Sequence, residues 1–170
     1  MALEFKIRDF RSPRADILSE VGLKQGFNVL DYGCGPGGYV LPTSKLVGEE
    51  GRLYALDVTP LAIKMVKKTA EKNRLKNVET IISDCATKLP NESVDVVLLY
   101  DVFHDLEDQT AVLKELHRVL KQDGVLSFSD HHLKEPDILS MVTDGKLFRL
   151  VKKGEHTYSF GKNEKENPSA

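Results

Sequence analysis

The stretch Val29-Leu30-Asp31-Tyr32-Gly33-Cys34-Gly35-Pro36-Gly37-Gly38 joins a short apolar run to a segment able to form a helix. A strand that turns through glycines into a helix begins a βα unit, and open parallel sheets bind ligands in the crevice outside the carboxyl ends of their strands. Glycines at that turn let the chain bend tightly and let a ligand approach the backbone, because a Cβ would intrude. Two spacings fit. Gly33, Gly35 and Gly38 satisfy GxGxxG, the dinucleotide fingerprint; Asp31, Gly33, Gly35 and Gly37 satisfy DxGxGxG. The glycines alone leave both open. Asp31 separates them, since a carboxylate at the strand end repels a pyrophosphate and attracts an ammonium. The loop therefore predicts a ligand that carries positive charge.

Outward from the loop, short apolar runs alternate with helical patterns, the signature of βα repeats and a largely parallel sheet. Asn28 to Asp31, Leu53 to Asp57, Val78 to Ile82, Val94 to Tyr100 and Val125 to Phe128 read as five parallel strands, rich in Val, Ile and Leu. Helices are predicted over Pro13 to Val21, Gly37 to Val47, Pro60 to Arg74 with Thr59 as its cap, and about Asp108 to Lys121 with Gly124 just beyond its end. The helix after the second strand should bury Ile63, Val66 and Ala70; the one before the fifth should bury Val112, Leu113, Leu116, Val119 and Leu120. The link Asp84 to Ser93 is too short for a crossover helix. After the fifth strand, Pro136 to Val142 suits a short helix, and Leu147 to Val151 with Thr157 to Phe160 suits a hairpin around Gly154. The fold class that results is α/β and Rossmann-like: a mostly parallel seven-stranded sheet with a C-terminal antiparallel hairpin and helices on both faces. One domain is expected over 1–160, with 161–170 as a mobile tail.

Composition narrows the function classes. At 170 residues the chain has the length of one domain. With 24 basic against 26 acidic side chains and a net charge of -2, nothing attracts it globally to phosphate backbones or anionic surfaces, so neither a nucleic acid nor a membrane is the expected partner. No apolar run is long enough to cross a bilayer, and the amino terminus is too mixed for a secretory segment. A cytoplasmic location is expected. Two cysteines, Cys34 and Cys85, without metal-ligand spacing, suit a reducing compartment, and neither is expected to act as a nucleophile.

The segment VLDYGCGPGGY resembles the first motif of the class I S-adenosylmethionine-dependent methyltransferases, and the likeness continues in the family's order through YALDVTP, SDCATKLP, VDVVLLYDVFHDL, LKELHRVLKQDG and LSFSDHH. It covers about Pro13 to Phe160. The resemblance implies S-adenosyl-L-methionine as cofactor, with Asp57 accepting hydrogen bonds from both ribose hydroxyls and Asp84 meeting the adenine amino group. It assigns to the cofactor Asp31, Gly33, Cys34, Gly35, Gly37, Asp57, Val58, Asp84, Cys85 and Tyr100. A glycine loop, an acid ending the second strand and an acid following the third converge on one crevice, a concurrence that single turn residues or loop caps would not produce.

The acceptor side is drawn from the loops after strands four and five, which hold Asp101, His104 and Asp105, and Asp130, His131 and His132. His104, His131 and Asp101 are the candidate catalytic residues, as bases for an acceptor hydroxyl or amine; the competing reading has Asp105 or Asp108 capping the next helix and the histidines in solvent. Asp101, Asp130 and His131 loosely resemble the magnesium site of catechol-type O-methyltransferases, but a histidine replaces an oxygen ligand that a hard cation prefers, so no metal is expected. The motif (N/D)PP(Y/F) is missing after strand four, and two cysteines are too few for an arsenite-type site, which leaves a small-molecule acceptor. With little inserted after strand five, the acceptor side is expected to be open, or closed by Phe10, Arg11 and Arg14 of the leader, or by the second copy in a homodimer. Arg11 and Arg14 are expected in solvent. Two rival functions follow from the same residues: a catalytically silent S-adenosylmethionine-binding regulatory module, and a nicotinamide-dependent oxidoreductase resting on Gly33, Gly35 and Gly38.

Overall fold

A computed structural model describes residues 13–163. In chain order the elements are α1 (Pro13–Val21), β1 (Asn28–Tyr32), α2 (Val40–Val47), β2 (Arg52–Asp57), α3 (Pro60–Lys72), β3 (Val78–Ile82), β4 (Val94–Tyr100), a 3-10 turn (Phe103–Asp105), α4 (Gln109–Val119), β5 (Leu120–Ser129), α5 (Glu135–Thr143), β6 (Phe148–Lys153) and β7 (Tyr158–Lys162). They build one seven-stranded sheet in the order β3-β2-β1-β4-β5-β7-β6. The first five strands run parallel, and β7 runs antiparallel to both β5 and β6. The order reverses between β1 and β4, so their carboxyl ends part there and leave the crevice in which such sheets bind ligands.

Alternation along the strands divides the core in two. Leu30, Tyr32, Leu56, Val97 and Leu99 face α4 and its stripe Val112, Leu113, Leu116 and Val119. Val29, Leu53, Ala55, Val96 and Leu98 face Leu18 of α1, Val40 and Val47 of α2, and Ile63 and Val66 of α3. Covered on both faces, the central strands have no need of polar positions, which is why they read as continuous apolar runs.

Several boundaries differ from expectation for local reasons. Helix α2 begins at Val40 because Gly37 sits at φ +88, outside helical space. Thr59 makes no side-chain cap; its backbone N–H donates instead to Asp57 Oδ1 (2.8 Å). Ala62, not Ala70, completes the buried face of α3. Helix α4 stops at Val119 and β5 starts at once, so Gly124 lies inside a strand, where the register against β4 shifts and a Cβ would come within 2.8 Å of the Leu120 side chain. Bulged strands favour glycine at such points. The link from β3 to β4 has no helix, as its length requires. Glu115 on α4 holds it by accepting from Thr87 N (2.9 Å) and Thr87 Oγ1 (2.6 Å), while Arg118 reaches Asn91 Oδ1 (2.7 Å). Hydrogen bonds from Arg118, opposed by burial and supported by Thr87, hold the Glu115 carboxyl at about 2.

The expected tail begins too early. Gly161 pairs with Val125 and Lys162 with Phe148 in β7, and Lys162 Nζ donates to Leu120 O (2.9 Å) from a buried position. A glycine and a lysine carry no apolar period, so the sequence hides these two strand residues. Residues 164–170 lie outside the described part of the chain, as do Phe10 and Arg11.

Candidate active site

The carboxyl ends of the central strands open into a cleft of about 580 Å³, a volume suited to a nucleoside-sized ligand. Gly33, Asp57, Val58, Asp84 and Cys85 line it, together with Tyr32, Val102 and Leu106. The other expected cofactor residues, Asp31, Cys34, Gly35, Gly37 and Tyr100, are not part of this lining, although Gly35 adjoins it through a hydrogen bond.

That bond runs from Gly35 N to Asp57 Oδ2 (2.9 Å), and with Thr59 N on Oδ1 (2.8 Å) it fixes the carboxylate at the end of β2. Each oxygen keeps a lone pair for a further donor. Gly33 is needed for packing: at φ +75 it lies where a Cβ would stand 2.6 Å from Val102 Cγ2, so only glycine lets the β4 loop close over the turn. Gly35, at φ +50, has nothing within 4 Å of its Cβ position. The loop is thus tight on the protein side and open on the other. Tyr32 donates its hydroxyl to Asp84 O (2.8 Å), tying the segment after β3 to the end of β1.

Asp31 is buried, and among the described residues its Oδ2 has no hydrogen-bond partner. Burial, reinforced by the nearby Asp57 carboxylate, raises its pKa to about 7. A buried carboxylate with an unused oxygen calls for a cation, so the residues present fit a ligand with an ammonium group. Beside it, burial and the Asp31 and Asp57 charges push the Cys34 thiol well up, which keeps it protonated. Tyr100 is buried, its ring 5.0 Å from that of Tyr39 and its hydroxyl 2.7 Å from Ser127 Oγ. Its polar atom is thereby engaged inside the sheet. Arg14, expected in solvent, is exposed yet sits over the Tyr39 ring (5.8 Å) and against Gly38.

The loops after β4 and β5 are laced together by two acid–histidine pairs. Asp130, directly after β5 and with its side chain fully buried, accepts from His104 Nδ1 (2.8 Å), His104 N (3.1 Å) and His132 N (3.1 Å). Asp101, directly after β4, accepts from His131 Nδ1 (2.5 Å) and His131 N (2.9 Å). Each strand's acid therefore holds the other loop's histidine. His132 stacks between them, its ring centroid 4.1 Å from both. Asp101 adopts φ +51, a left-handed conformation that aspartate tolerates better than most residues. The hydrogen bond that His104 donates to Asp130 raises the His104 pKa above the ordinary histidine value, against the opposing effect of desolvation. Asp130 is itself held low: burial works against it, and the His104 ring with the backbone N–H groups outweighs burial. With Nδ1–H committed to Asp130, His104 keeps Nε2 as its proton acceptor, 3.3 Å from Asp105 Oδ2. Among the described residues no three His, Cys, Asp or Glu side chains are gathered as metal ligands; Asp101, Asp130 and His131 are divided between the two pairs. Asp108 caps α4 by accepting from Ala111 N (2.8 Å).

Sequence reasoning passed over Tyr32, Val102 and Leu106. The signal for Tyr32 was available: it neighbours Asp31 in a strand, so the two side chains point to opposite faces and only one can line a given wall.

An open sheet of this order, with a glycine turn after β1 and an acid ending β2, defines the Rossmann-like methyltransferase fold. A family model described as "Methyltransferase domain" matches residues 23–166, and the chain belongs to that family, the class I S-adenosylmethionine-dependent methyltransferases. Their cofactor is S-adenosylmethionine. A solved structure of a SAM-dependent methyltransferase from Aquifex aeolicus is similar with a TM-score of 0.77 and 30% identity over 92% of this chain and 95% of that one. Demethylmenaquinone methyltransferase of Geobacillus stearothermophilus is 29% identical over 113 residues, 66% of this chain and 48% of the relative. The ubiquinone/menaquinone biosynthesis C-methyltransferase UbiE of Marinomonas sp. (strain MWYL1) is 29% identical over 136 residues, 79% of this chain and 54% of the relative. The chain spans about half the length of the curated relatives it matches.

Proposed function

We propose that this protein transfers a methyl group from S-adenosylmethionine to a small-molecule acceptor with an ionisable hydroxyl, of the phenol or quinol class, and that it works in the cytoplasm. What carries the reading is Asp31, a buried carboxylate with an unused oxygen beside a glycine loop whose outer side is open. The sulfonium supplies an electrophilic methyl group. In this reading Asp31 takes the cofactor's ammonium, Asp57 its ribose hydroxyls, and Asp84 with Val58 and Cys85 its base, while the loops after β4 and β5 present the acceptor. His104 takes the acceptor's proton at Nε2, Asp130 holds the ring in the tautomer whose Nε2 is the acceptor, and Asp105, 3.3 Å from that nitrogen, faces the imidazolium that forms. His131 is held by Asp101 in the same way. An ionised oxygen makes itself, or a ring carbon conjugated to it, the nucleophile, and alignment with the methyl group supplies most of the rate. The acceptor class is supported by relatives named as demethylmenaquinone and ubiquinone/menaquinone C-methyltransferases.

The test is methyl transfer from methyl-labelled cofactor to a panel of phenols and quinols by the full chain. Labelled product with one of them, lost in His104→Ala while the cofactor still binds, supports the reading. Cofactor binding without transfer to any acceptor would favour the silent module.

A further inference from the structure

Helix α3 carries a stripe that the cofactor site leaves unused. Leu61 is 65% exposed and Met65 45%. Spaced four residues apart, they share one face of the helix with Lys68 and Lys72 further along it. Ile82 stands opposite Asp57 in the sheet and therefore beside Val58, and both are more than half exposed. Val58 also lines the cleft, so this apolar surface reaches the rim of the candidate active site.

Charge is concentrated at the same place. On a chain of net charge -2, the stretch from 60 to 77 holds Lys64, Lys67, Lys68, Lys72, Arg74 and Lys76 against one acid, Glu71. The four lysines of α3 form no ion pair with any described residue. Apolar side chains flanked by unpaired lysines, whose stems are apolar and whose heads are charged, are what an interfacial helix face presents to anionic lipid. Nucleic acid would use the lysines and strand Leu61 and Met65 against phosphate. A second copy packed symmetrically on this face would set lysine against lysine.

We propose that the Leu61–Met65–Lys68–Lys72 face of α3 docks the protein on an anionic membrane surface, with the Val58 end of the cleft turned toward the lipid. Docking stands on the stripe alone.

The experiment is flotation of the full chain with vesicles of phosphatidylcholine, alone or mixed with phosphatidylglycerol, at rising salt. The chain should float with the mixed vesicles only and be released by salt. Lys68→Gln with Lys72→Gln should lower partitioning by about tenfold or more, and Leu61→Glu with Met65→Glu should abolish it. Both double variants should bind S-adenosylmethionine like the parent, since none of the four residues lines the cleft. Docking is overturned if the parent does not float with anionic vesicles, or if the double variants float equally well. It is also overturned by a dimer that Leu61→Glu dissolves, or by duplex nucleic acid binding through the lysines in place of vesicle binding. A chain that floats as described but ignores S-adenosylmethionine would support docking and sink the methyltransferase reading alone.

Discussion

Replacing Asp31 by asparagine should make the ligand-free protein more stable and its cofactor binding weaker. The Asp31 carboxyl has a folded pKa of about 7 against 3.8 for an ordinary aspartate, raised by burial and by Asp57. A raised acid binds more protons in the folded than in the unfolded state across that window, so stability falls as pH climbs from about 4 to about 7. At roughly 1.4 kcal/mol per unit, the ionised side chain costs the ligand-free fold about 4 kcal/mol at pH 8. Asparagine removes this cost and leaves a buried amide short of a partner, a loss of about 1 to 3 kcal/mol, so the net gain at pH 8 is about 1 to 3 kcal/mol. At pH 5 the same arithmetic leaves a cost of only about 1.6 kcal/mol, which the amide's loss offsets, so the gain should vanish. Binding moves the other way. An ammonium favours the ionised form, so the parent should take up the cofactor with release of a proton below pH 7 and lose affinity as pH falls through that value. Asp31→Asn should weaken binding by about 1.5 to 3 kcal/mol and abolish the pH dependence. Denaturant unfolding at the two pH values and calorimetry in buffers of different ionisation heat measure both. A variant less stable than the parent at pH 8, or one binding with unchanged affinity, would refute the reasoning.

Asp57→Ala should weaken cofactor binding by about 1.5 to 3 kcal/mol, and the loss of its bonds to Gly35 and Thr59 should cost about 1 kcal/mol of stability; calorimetry and unfolding separate the two. The glycines should behave differently from each other: Gly33→Ala should destabilise by about 1 to 3 kcal/mol through its clash with Val102, whereas Gly35→Val meets no neighbour and should block binding by projecting into the open side, at a cost in stability set by its φ of +50 alone. Deletion of the His104 ring by alanine should lower turnover by about 10²-fold with cofactor affinity kept. The acid limb of the rate profile should lie above the ordinary histidine value in the parent, because only neutral His104 accepts a proton, and should move down in Asp130→Asn, which removes the carboxylate charge that favours the protonated ring. A limb that stays in place would remove Asp130 from its positioning role.

How much of this was legible in the sequence depended on where the information was stored. The central parallel strands announced themselves because burial on both faces leaves mostly apolar residues, the edge strand β3 through its Val and Ile alone, and the loop around Asp31 because glycine has few other reasons to recur every second residue. Asp57 could be placed because β2 ends where its apolar run ends. What local pattern could not carry was pairing across the sheet. That Asp130 serves His104 and Asp101 serves His131 follows from two loops lying side by side, some thirty residues apart in sequence. The same holds for Gly124, which looks like a helix cap until Leu120 is seen pairing with Val94, and for Lys162, whose buried side chain donates to Leu120 O. Tyr100 ends a strand at the crevice, as a ligand contact should, yet its hydroxyl belongs to Ser127.

Titration of the full chain with S-adenosylmethionine tests the central claim most directly. The account predicts saturable binding at one site per chain, with a proton released below pH 7 and affinity weakened in both Asp31→Asn and Asp57→Ala. A folded protein that gives no binding heat with either S-adenosylmethionine or S-adenosylhomocysteine would contradict it.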